Sequence, residues 1–348
     1  MTSLPPIDTP YLLNFLTGLL NTPSPTGYTE EAIAFLEREL SPYPLQLQRT
    51  RKGALVACLQ GRLDDAPRAL TAHVDTLGAM VKEIKPNGRL KLTRIGGLLL
   101  NGVETEGCWV LCNDGRRVRG SYLFDDASVH VHGNKINETR RSEDNMEVRL
   151  DARTTSSEET RALGIQVGDF VAFDPRVEIT EGFVRSRFLD DKACVASLVS
   201  AIKSLHDAGL KPAQNTYFHF SNYEEVGHGA AAGIPAEVHE LLSVDMAAIG
   251  QGQTSDEFHA TLCVKDSGGP YHHGFSQKLR RLAERYGIEY RVDIYPYYGS
   301  DGEAFWRAGG DVAVALIGPG VDASHNYERT HADALVDTTR WILAYLLS

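Results

Sequence analysis

The sequence predicts an α/β protein in which helices flank a mixed, mainly parallel sheet and a small β-barrel domain is inserted into the chain. Helical and strand-like segments alternate in the first 76 residues and again after Phe188, which is the pattern of a helix-flanked sheet. Between these parts, long helical periodicity disappears and short strand-like runs follow one another. We therefore expect a discontinuous α/β domain, residues 1–76 and 181–348, interrupted by a β-rich domain, residues 77–180.

The elements of the α/β part follow from the spacing of apolar residues. Apolar positions three and four residues apart predict helices over Tyr11–Leu20, Thr29–Leu40, Asp191–Ala208, Tyr271–Tyr286, Glu303–Ala308 and Ala334–Leu347. Short apolar runs predict strands over Ala54–Gln60, Arg68–Val74, Thr216–Ser221, Leu241–Ala248, Thr261–Val264, Glu289–Tyr295 and Val312–Ile317. The alternation of the two types favours a sheet covered by helices.

The β-rich block carries two hairpin signals. Asn87-Gly88 and Asn113-Asp114-Gly115 each lie between two strand-like runs, as expected for tight turns. The predicted strands are Ala79–Pro86, Arg89–Ile95, Trp109–Cys112, Arg116–Leu123, Met146–Leu150 and Phe170–Ile179. One short helix is expected near Ser157–Leu163. The block is long enough for a small barrel or sandwich of its own.

Composition excludes several classes of protein. The formal net charge of -11 disfavours binding to nucleic acid or to an anionic membrane surface. The 5 cysteines are scattered without a Cys-x-x-Cys pair, which argues against a thiolate zinc site and a disulfide framework. The sequence shows neither a signal peptide nor an apolar run long enough for a membrane span. We expect a cytoplasmic protein without nucleic-acid or membrane partners.

The first motif whose side chains could bind a metal ion or take part in catalysis is Thr71-Ala72-His73-Val74-Asp75, which ends an apolar run. Side chains two residues apart in a strand point to the same side. Asp75 can therefore accept a hydrogen bond from one ring nitrogen of His73 while the other nitrogen faces a metal ion. Taken alone, such a pair is more often structural. It gains weight only if further ligands follow at other strand ends.

Two pairs of adjacent acids meet that condition. Asp190 and Asp191 precede the long helix, where one carboxylate can cap the helix and one can bridge two cations. Glu224 and Glu225 follow an apolar strand. Because adjacent side chains point apart, one glutamate can bind metal while the other acts as a general base. The structural alternative for this pair is a solvated helix start, where acids interact with the helix dipole.

Two later clusters complete a ligand set. Asp245 ends an apolar strand, where aspartate is uncommon. His325 and His331 lie in a polar stretch before the last helix. Imidazoles and carboxylates in this number suit two divalent cations of the zinc, cobalt or manganese type, with a bridging carboxylate and a bridging water. The proposed ligands are His73, Asp190, Glu225, Asp245 and one of the two late histidines.

The chain resembles the tetrahedral and glutamyl aminopeptidases, the cocatalytic metallopeptidases of family forty-two. The matching segments are His73–Gly78, Val81–Gly97, Leu163–Asp169, Leu189–Lys192, Glu224–Gly227, Val244-Asp245 and Ser300-Asp301. The resemblance covers nearly the whole chain. It implies a dinuclear metallo-aminopeptidase that hydrolyses the N-terminal peptide bond of peptides with two zinc or cobalt ions, manganese being a further option. It also implies a homo-oligomer, between a dimer and a dodecamer.

The same resemblance implies roles for the residues. Asp190 bridges the ions, the peptide between it and Asp191 is expected to be cis, and Glu224 is the general base. Asp75 orients His73. The inserted domain serves in assembly and in access to the active site. The last ligand is His325 in preference to His331, because His325 lies nearer the end of the preceding strand. The residues expected to contact substrate are His228, Tyr298 and Asp301, with Tyr297 as a further candidate.

Two segments, Tyr327–His331 and Asp191-Lys192, resemble a subgroup found in gene clusters for the osmoprotectant N-acetylglutaminylglutamine amide. This similarity widens the expected substrates to small or blocked dipeptides. One alternative is therefore a deacylase, dipeptidase or amidohydrolase that acts on small N-acylated or amidated peptides. The alternative from another class is a non-catalytic, metal-binding assembly protein.

Overall fold

The computed structural model describes residues 3–348 of the chain. Its helices are α1 Thr9–Leu20, α2 Glu30–Leu40, α3 Leu100–Val103, α4 Val129–His132, α5 Lys135–Glu138, α6 Ser157–Ala162, α7 Leu189–Asp207, α8 His273–Tyr286, α9 Asp301–Arg307 and α10 Ala332–Leu346. Two 3₁₀ turns, Glu224–Val226 and Gly229–Ala231, follow the twelfth strand. Among the described residues, no helix is both long and apolar enough to cross a membrane.

The strands fall into three groups. Those of the main sheet are β1 Leu45–Arg49, β2 Leu55–Leu59, β3 Leu63–His73, β12 Gln214–Ser221, β13 Glu240–Val244, β14 Ala247–Ala248, β15 Ala260–Lys265, β16 Tyr290–Ile294 and β17 Ala313–Val321. Those of the barrel are β4 Gly78–Ile84, β5 Leu90–Ile95, β6 Gly107–Leu111, β7 Arg117–Phe124, β8 Met146–Leu150 and β9 Phe170–Phe173. A small sheet comprises β10 Glu178–Thr180, β11 Phe183–Ser186 and β18 Glu328–His331.

The chain divides into two compact units. One is made of the segment that ends at Thr76 together with the segment that starts at Arg176, and the other is Leu77–Pro175. The second border lies at Pro175 rather than at residue 180, because β10 pairs with β11 and β11 pairs with β18. The part that the inserted unit plays in assembly and access stays a prediction.

The main sheet has the strand order β1-β2-β12-β3-β13-β17-β15-β16, and β14 pairs with β17. Its centre is parallel, since β3 pairs in parallel with both β12 and β13, and β13 does so with β17. The outer pairs β1/β2, β2/β12 and β15/β17 are antiparallel. This architecture confirms the predicted mixed sheet with flanking helices.

The inserted unit contains a closed barrel of β4-β5-β8-β7-β6-β9 in which every pair is antiparallel. The two hairpin signals lie at its turns, where Gly88 (φ 81°) and Gly115 (φ 85°) adopt the left-handed conformation that glycine tolerates. Buried side chains such as Val110, Tyr122 and Val148 fill the interior of this unit. The predicted β-barrel is confirmed.

Two predicted strands are interrupted in the structure. The run Phe170–Ile179 breaks after Phe173, where Pro175 supplies no amide hydrogen for a ladder. The run Leu241–Ala248 breaks at Asp245-Met246, and β14 continues with a new pairing to β17. Strand β1 is absent from the predicted strands although Leu45 and Leu47 alternate with glutamines, and its residues 46–49 are all exposed.

Strand β3 illustrates why the centre of the sheet forms. Its second half is buried on both faces, as expected for a central parallel strand that helices cover. Leu70 is fully buried, whereas Leu63 in the same strand is 58% exposed. We expect Leu70→Ala to lower the free energy of unfolding by about 2–5 kcal/mol through lost burial and a cavity. Urea denaturation measures this, with Leu63→Ala as the matched control expected within about 0.5 kcal/mol of wild type.

Candidate metal centre and active site

The polar clusters meet at the carboxyl edge of the parallel strands. Strand β3 ends at His73, and its neighbour β12 ends at Ser221, which lies opposite His73 in the ladder. Strand β13 ends one residue before Asp245, and β17 ends four residues before His325. Because parallel strands deliver their carboxyl ends to one edge of a sheet, segments distant in sequence converge there.

The first group of candidate ligands consists of His73, Asp190 and Asp245. All three are buried, and each offers one ligand atom within 4.8 Å of the others. His73 Nε2 lies 3.2 Å from Asp190 Oδ1. This is the spacing of side chains that could share one cation.

The second group lies on the other side of the Asp190 carboxylate. His325 Nε2 lies 3.5 Å from Asp190 Oδ2 and 3.5 Å from Glu225 Oε2. Asp190 therefore directs one oxygen toward His73 and the other toward His325. That is the arrangement expected of a carboxylate between two metal positions.

Left-handed backbone conformations recur at this edge. Phe188 (φ 72°) precedes Asp190, Tyr223 (φ 75°) precedes Glu224, and His325 itself has φ 65°. Non-glycine residues rarely adopt this conformation, and such strain tends to gather at functional sites. The peptide bond between Asp190 and Asp191 is cis, as the resemblance implies.

Asp75 makes different contacts from those expected. His73 Nδ1 lies 2.9 Å from the carbonyl oxygen of Asp75 and 3.7 Å from its carboxylate. The carboxylate instead accepts from Thr26 Oγ1 at 2.7 Å and from the amides of Glu224 and Glu225 at 3.2 and 3.4 Å. Strand β3 ends at His73, so the two-residue alternation that aligns side chains does not extend to Asp75. The backbone carbonyl orients the ring, and the carboxylate holds the glutamate turn.

The late histidines have separate environments. His325 faces Asp190 and Glu225, whereas His331 lies at the start of α10. There its Nδ1 accepts from the amide of Asp333 at 3.2 Å, its Nε2 lies 3.3 Å from the carbonyl of Glu181, and its ring contacts Phe183. A helix-capping contact of this kind accounts for His331 without a metal.

This difference yields a test. We expect His325→Ala to remove one bound metal ion per chain, because Asp190 and Glu225 lose the imidazole that faces them. His331→Ala keeps both ions and loses only a helix cap, at about 0.5–2 kcal/mol of stability. Elemental analysis of both purified variants measures the metal content. Metal loss in His331→Ala alone would reverse the choice of ligand.

The electrostatics of the cluster suit cations. Burial, and after it the Asp190 carboxylate, raises the pKa of Asp245 to about 7 and the pKa of Glu225 well above its usual range. Burial is the largest single influence on His325 and opposes its protonation, but the hydrogen bond to Asp190 and the negative charges of Asp190, Glu225 and Glu328 together raise that pKa to about 10. A positive charge lowers the electrostatic repulsion between buried carboxylates. Imidazole nitrogens and carboxylate oxygens are the ligands that zinc, cobalt and manganese share, so the donor set fits divalent metal ions.

The residues expected to contact substrate differ in position. His228 is exposed and its ring stacks on that of Tyr223, with the centroids 5.2 Å apart. The hydroxyl of Tyr298 donates to the carbonyl of Met246 at 2.8 Å, in the segment just after Asp245. Tyr297 is 98% exposed. Asp301 is buried and 2% exposed, with hydrogen bonds to both of its oxygens, so its position favours a supporting role over contact with substrate.

Glu328 is a supporting residue that was not predicted from the sequence. Glu328 is buried and accepts from the amide of Asp190 at 3.1 Å through one oxygen and from the amide of His325 at 3.0 Å through the other. Burial raises the pKa of Glu328 to about 8. The available signal was its place three residues after His325 and at the start of β18.

The match to a family model decides the identity of the chain. Residues 53–340 match the model of the M42 glutamyl aminopeptidases. The chain belongs to this family. It is therefore a hydrolase, a metal-dependent aminopeptidase.

Known proteins agree with this assignment. YhfE of Bacillus subtilis (strain 168), which is named as an aminopeptidase, is 47% identical over 337 residues that cover 97% of each chain. The TET aminopeptidase of Thaumarchaeota archaeon SCGC AB-539-E09 superposes with a TM-score of 0.87 at 17% identity, covering 97% of this chain and 96% of that chain. The TET1 peptidase of Pyrococcus horikoshii superposes with a TM-score of 0.85 at 21% identity, covering 97% and 99%. These two structures share the fold of this chain.

Proposed function

We propose that this M42 protein removes the N-terminal residue from peptides that carry a free amino group, with Glu224 as the general base. The observation that carries the proposal is the placement of Asp190, whose two oxygens face His73 on one side and His325 on the other. With Asp245 and Glu225, these side chains would hold two divalent cations. When bound, such cations lower the pKa of a water molecule and polarise the carbonyl group of the scissile bond.

The two glutamates are assigned by their surroundings. The side chain of Glu225 is 3% exposed and lies 3.5 Å from His325 Nε2, which favours a ligand. The side chain of Glu224 is 15% exposed, which leaves it more accessible to water and substrate. Glu224 takes a proton from the attacking water, and the resulting hydroxide adds to the carbonyl carbon of the first peptide bond. Glu224 then passes this proton to the leaving amine as the carbon–nitrogen bond breaks.

The identity of the metal and the assembly of the protein belong to the same proposal. Zinc and cobalt suit the mixed nitrogen and oxygen ligands, and manganese is compatible with the carboxylates. The TET1 peptidase of Pyrococcus horikoshii is described as assembling into a tetrahedron or a large octahedral shell. By analogy, we expect this chain to form a homo-oligomer. We also expect it to act in the cytoplasm, because its scattered cysteines favour a reducing compartment.

The experiment is a comparison of paired substrates. Metal-free enzyme is reconstituted with zinc, cobalt or manganese and assayed on dipeptides and tripeptides, each with a free or an N-acetylated amino group. We expect hydrolysis of the free-amine member of each pair. Preference for the acetylated members would favour the deacylase or amidohydrolase alternative. No hydrolysis with any of the metals would favour the non-catalytic alternative.

A further inference from the structure

The turn that carries Glu224 lies outside the main sheet. It comprises residues 222–230, from the residue after β12 into the second 3₁₀ turn. A turn without ladder hydrogen bonds needs other contacts to hold its shape. Asp75 binds the amides of Glu224 and Glu225 at the beginning of the turn. Two further charged side chains, Lys52 and Asp301, bind its end.

Asp301 joins the end of the turn to the sheet. Its Oδ1 accepts from the amide of Ala230 at 2.7 Å. Its Oδ2 accepts from the hydroxyl of Thr71 in β3 at 3.1 Å and from the hydroxyl of Ser221 at the end of β12. One buried carboxylate therefore ties two parallel strands to the turn.

Lys52 approaches the same place from the connection between β1 and β2. Its ammonium group donates to the carbonyl of Gly229 at 2.9 Å and also to the carbonyl of His228. It lies 5.8 Å from the centre of the Tyr223 ring. Lys52 thus contacts both the residue before Glu224 and the residues at the far end of the turn.

The two charges bind one peptide group from its two sides. The carbonyl of the Gly229–Ala230 peptide accepts from Lys52, and its amide donates to Asp301. Hydrogen bonds with a charged partner are stronger than those between neutral groups. A Cβ atom at position 229 would overlap Asp301 Oδ1, so this close approach requires glycine.

We propose that Lys52 and Asp301 are positioning residues for the aminopeptidase reaction, which hold the Gly229–Ala230 peptide from both sides and so fix the turn that presents Glu224. The inference rests on the proposed role of Glu224 as the base. It assigns Asp301 to the support of the turn instead of to the substrate. Neither residue supplies a ligand or a proton.

The test uses Lys52→Met and Asp301→Asn in the metal-loaded enzyme. A small displacement of a catalytic group costs up to about a hundredfold in rate, so we expect kcat to fall by about ten- to a hundredfold in Lys52→Met. KM and the metal content stay close to wild type, and Lys52→Arg restores most of the activity. Asp301→Asn keeps an acceptor for Ala230 and shows a smaller loss. Lys211→Met and Asp311→Asn make the same changes at exposed positions and serve as controls.

Two further measurements separate positioning from general destabilisation. Hydrogen exchange of peptides covering residues 222–232 is expected to accelerate in Lys52→Met, in the metal-free and the metal-loaded protein alike, while exchange in α7 stays unchanged. In a Glu224→Gln background, Lys52→Met is expected to cause little additional loss of kcat, because residues that act through one another are non-additive.

The outcomes distinguish the two proposals. Full activity and unchanged hydrogen exchange in both variants would overturn the positioning role. A rise in KM at constant kcat in Asp301→Asn would also overturn it, because that result would indicate that Asp301 contacts the substrate. Multiplicative losses with Glu224→Gln would also overturn it. High activity of Glu224→Gln alone would instead refute the proposed base, while the exchange data would still show whether Lys52 and Asp301 hold the turn.

Discussion

Glu224→Gln is expected to lower kcat by about a hundredfold to ten-thousandfold, the usual range for the loss of a general acid–base group. Glutamine keeps the shape of the side chain, but its amide cannot take a proton from water. Two metal ions remain bound, because Glu224 is not one of the proposed ligands. These are His73, Asp190, Asp245, Glu225 and His325. Steady-state kinetics on a free-amine dipeptide and elemental analysis of the same sample measure both quantities.

Two further glutamate variants serve as controls for Glu224→Gln. Glu284→Gln changes an exposed glutamate of α8 and is expected to leave kcat unchanged. Glu225→Gln is expected to lose metal together with activity, since its carboxylate lies 3.5 Å from His325 Nε2. If Glu224→Gln lost metal and Glu225→Gln kept it, the two glutamates would exchange roles.

Asp190→Asn has the second large effect, a loss of affinity for both metal ions. The substitution removes the negative charge between His73 and His325 and replaces one ligand oxygen by an NH₂ group. His73→Ala, in contrast, affects a residue on one side only, and we expect it to retain the ion next to His325. Titration of metal-free protein with zinc, followed by calorimetry, gives the number of ions bound by each variant.

Asp64→Asn, at an exposed position of β3, is the matched control for the charge change and is expected to bind two ions. Retention of two ions by Asp190→Asn, at affinities close to those of wild type, would contradict a bridging role. Loss of a single ion would assign Asp190 to one metal position only.

The sequence predicted the fold and the convergence of several strand ends at one edge of the sheet, for a physical reason. Strands β3, β12, β13 and β17 are marked by apolar runs, and each is followed within a few residues by an acid or a histidine. Parallel pairing then brings these strand ends to one edge of the sheet. Local patterns therefore placed His73 and Asp245 together with one late histidine, and the preference for His325 over His331 rested only on its distance from the preceding strand.

The supporting contacts depend on tertiary structure and could not be read from local patterns. Asp301 binds Thr71, Ser221 and Ala230, which are separated from it by 71 residues or more along the chain. The carboxylate of Asp75 turns toward the glutamate amides because β3 has ended at His73. Apolar spacing does not predict to within one residue where a strand ends. It also does not predict which distant group a carboxylate binds.

The most direct test of the dinuclear site is a crystal structure of the zinc-loaded enzyme with anomalous scattering data collected at the zinc edge. We predict two peaks per chain, about 3.5–4 Å apart. One peak lies between His73 and Asp245, the other lies between Glu225 and His325, and each contacts one oxygen of Asp190. A single peak, or a second peak next to His331, would contradict the proposed site.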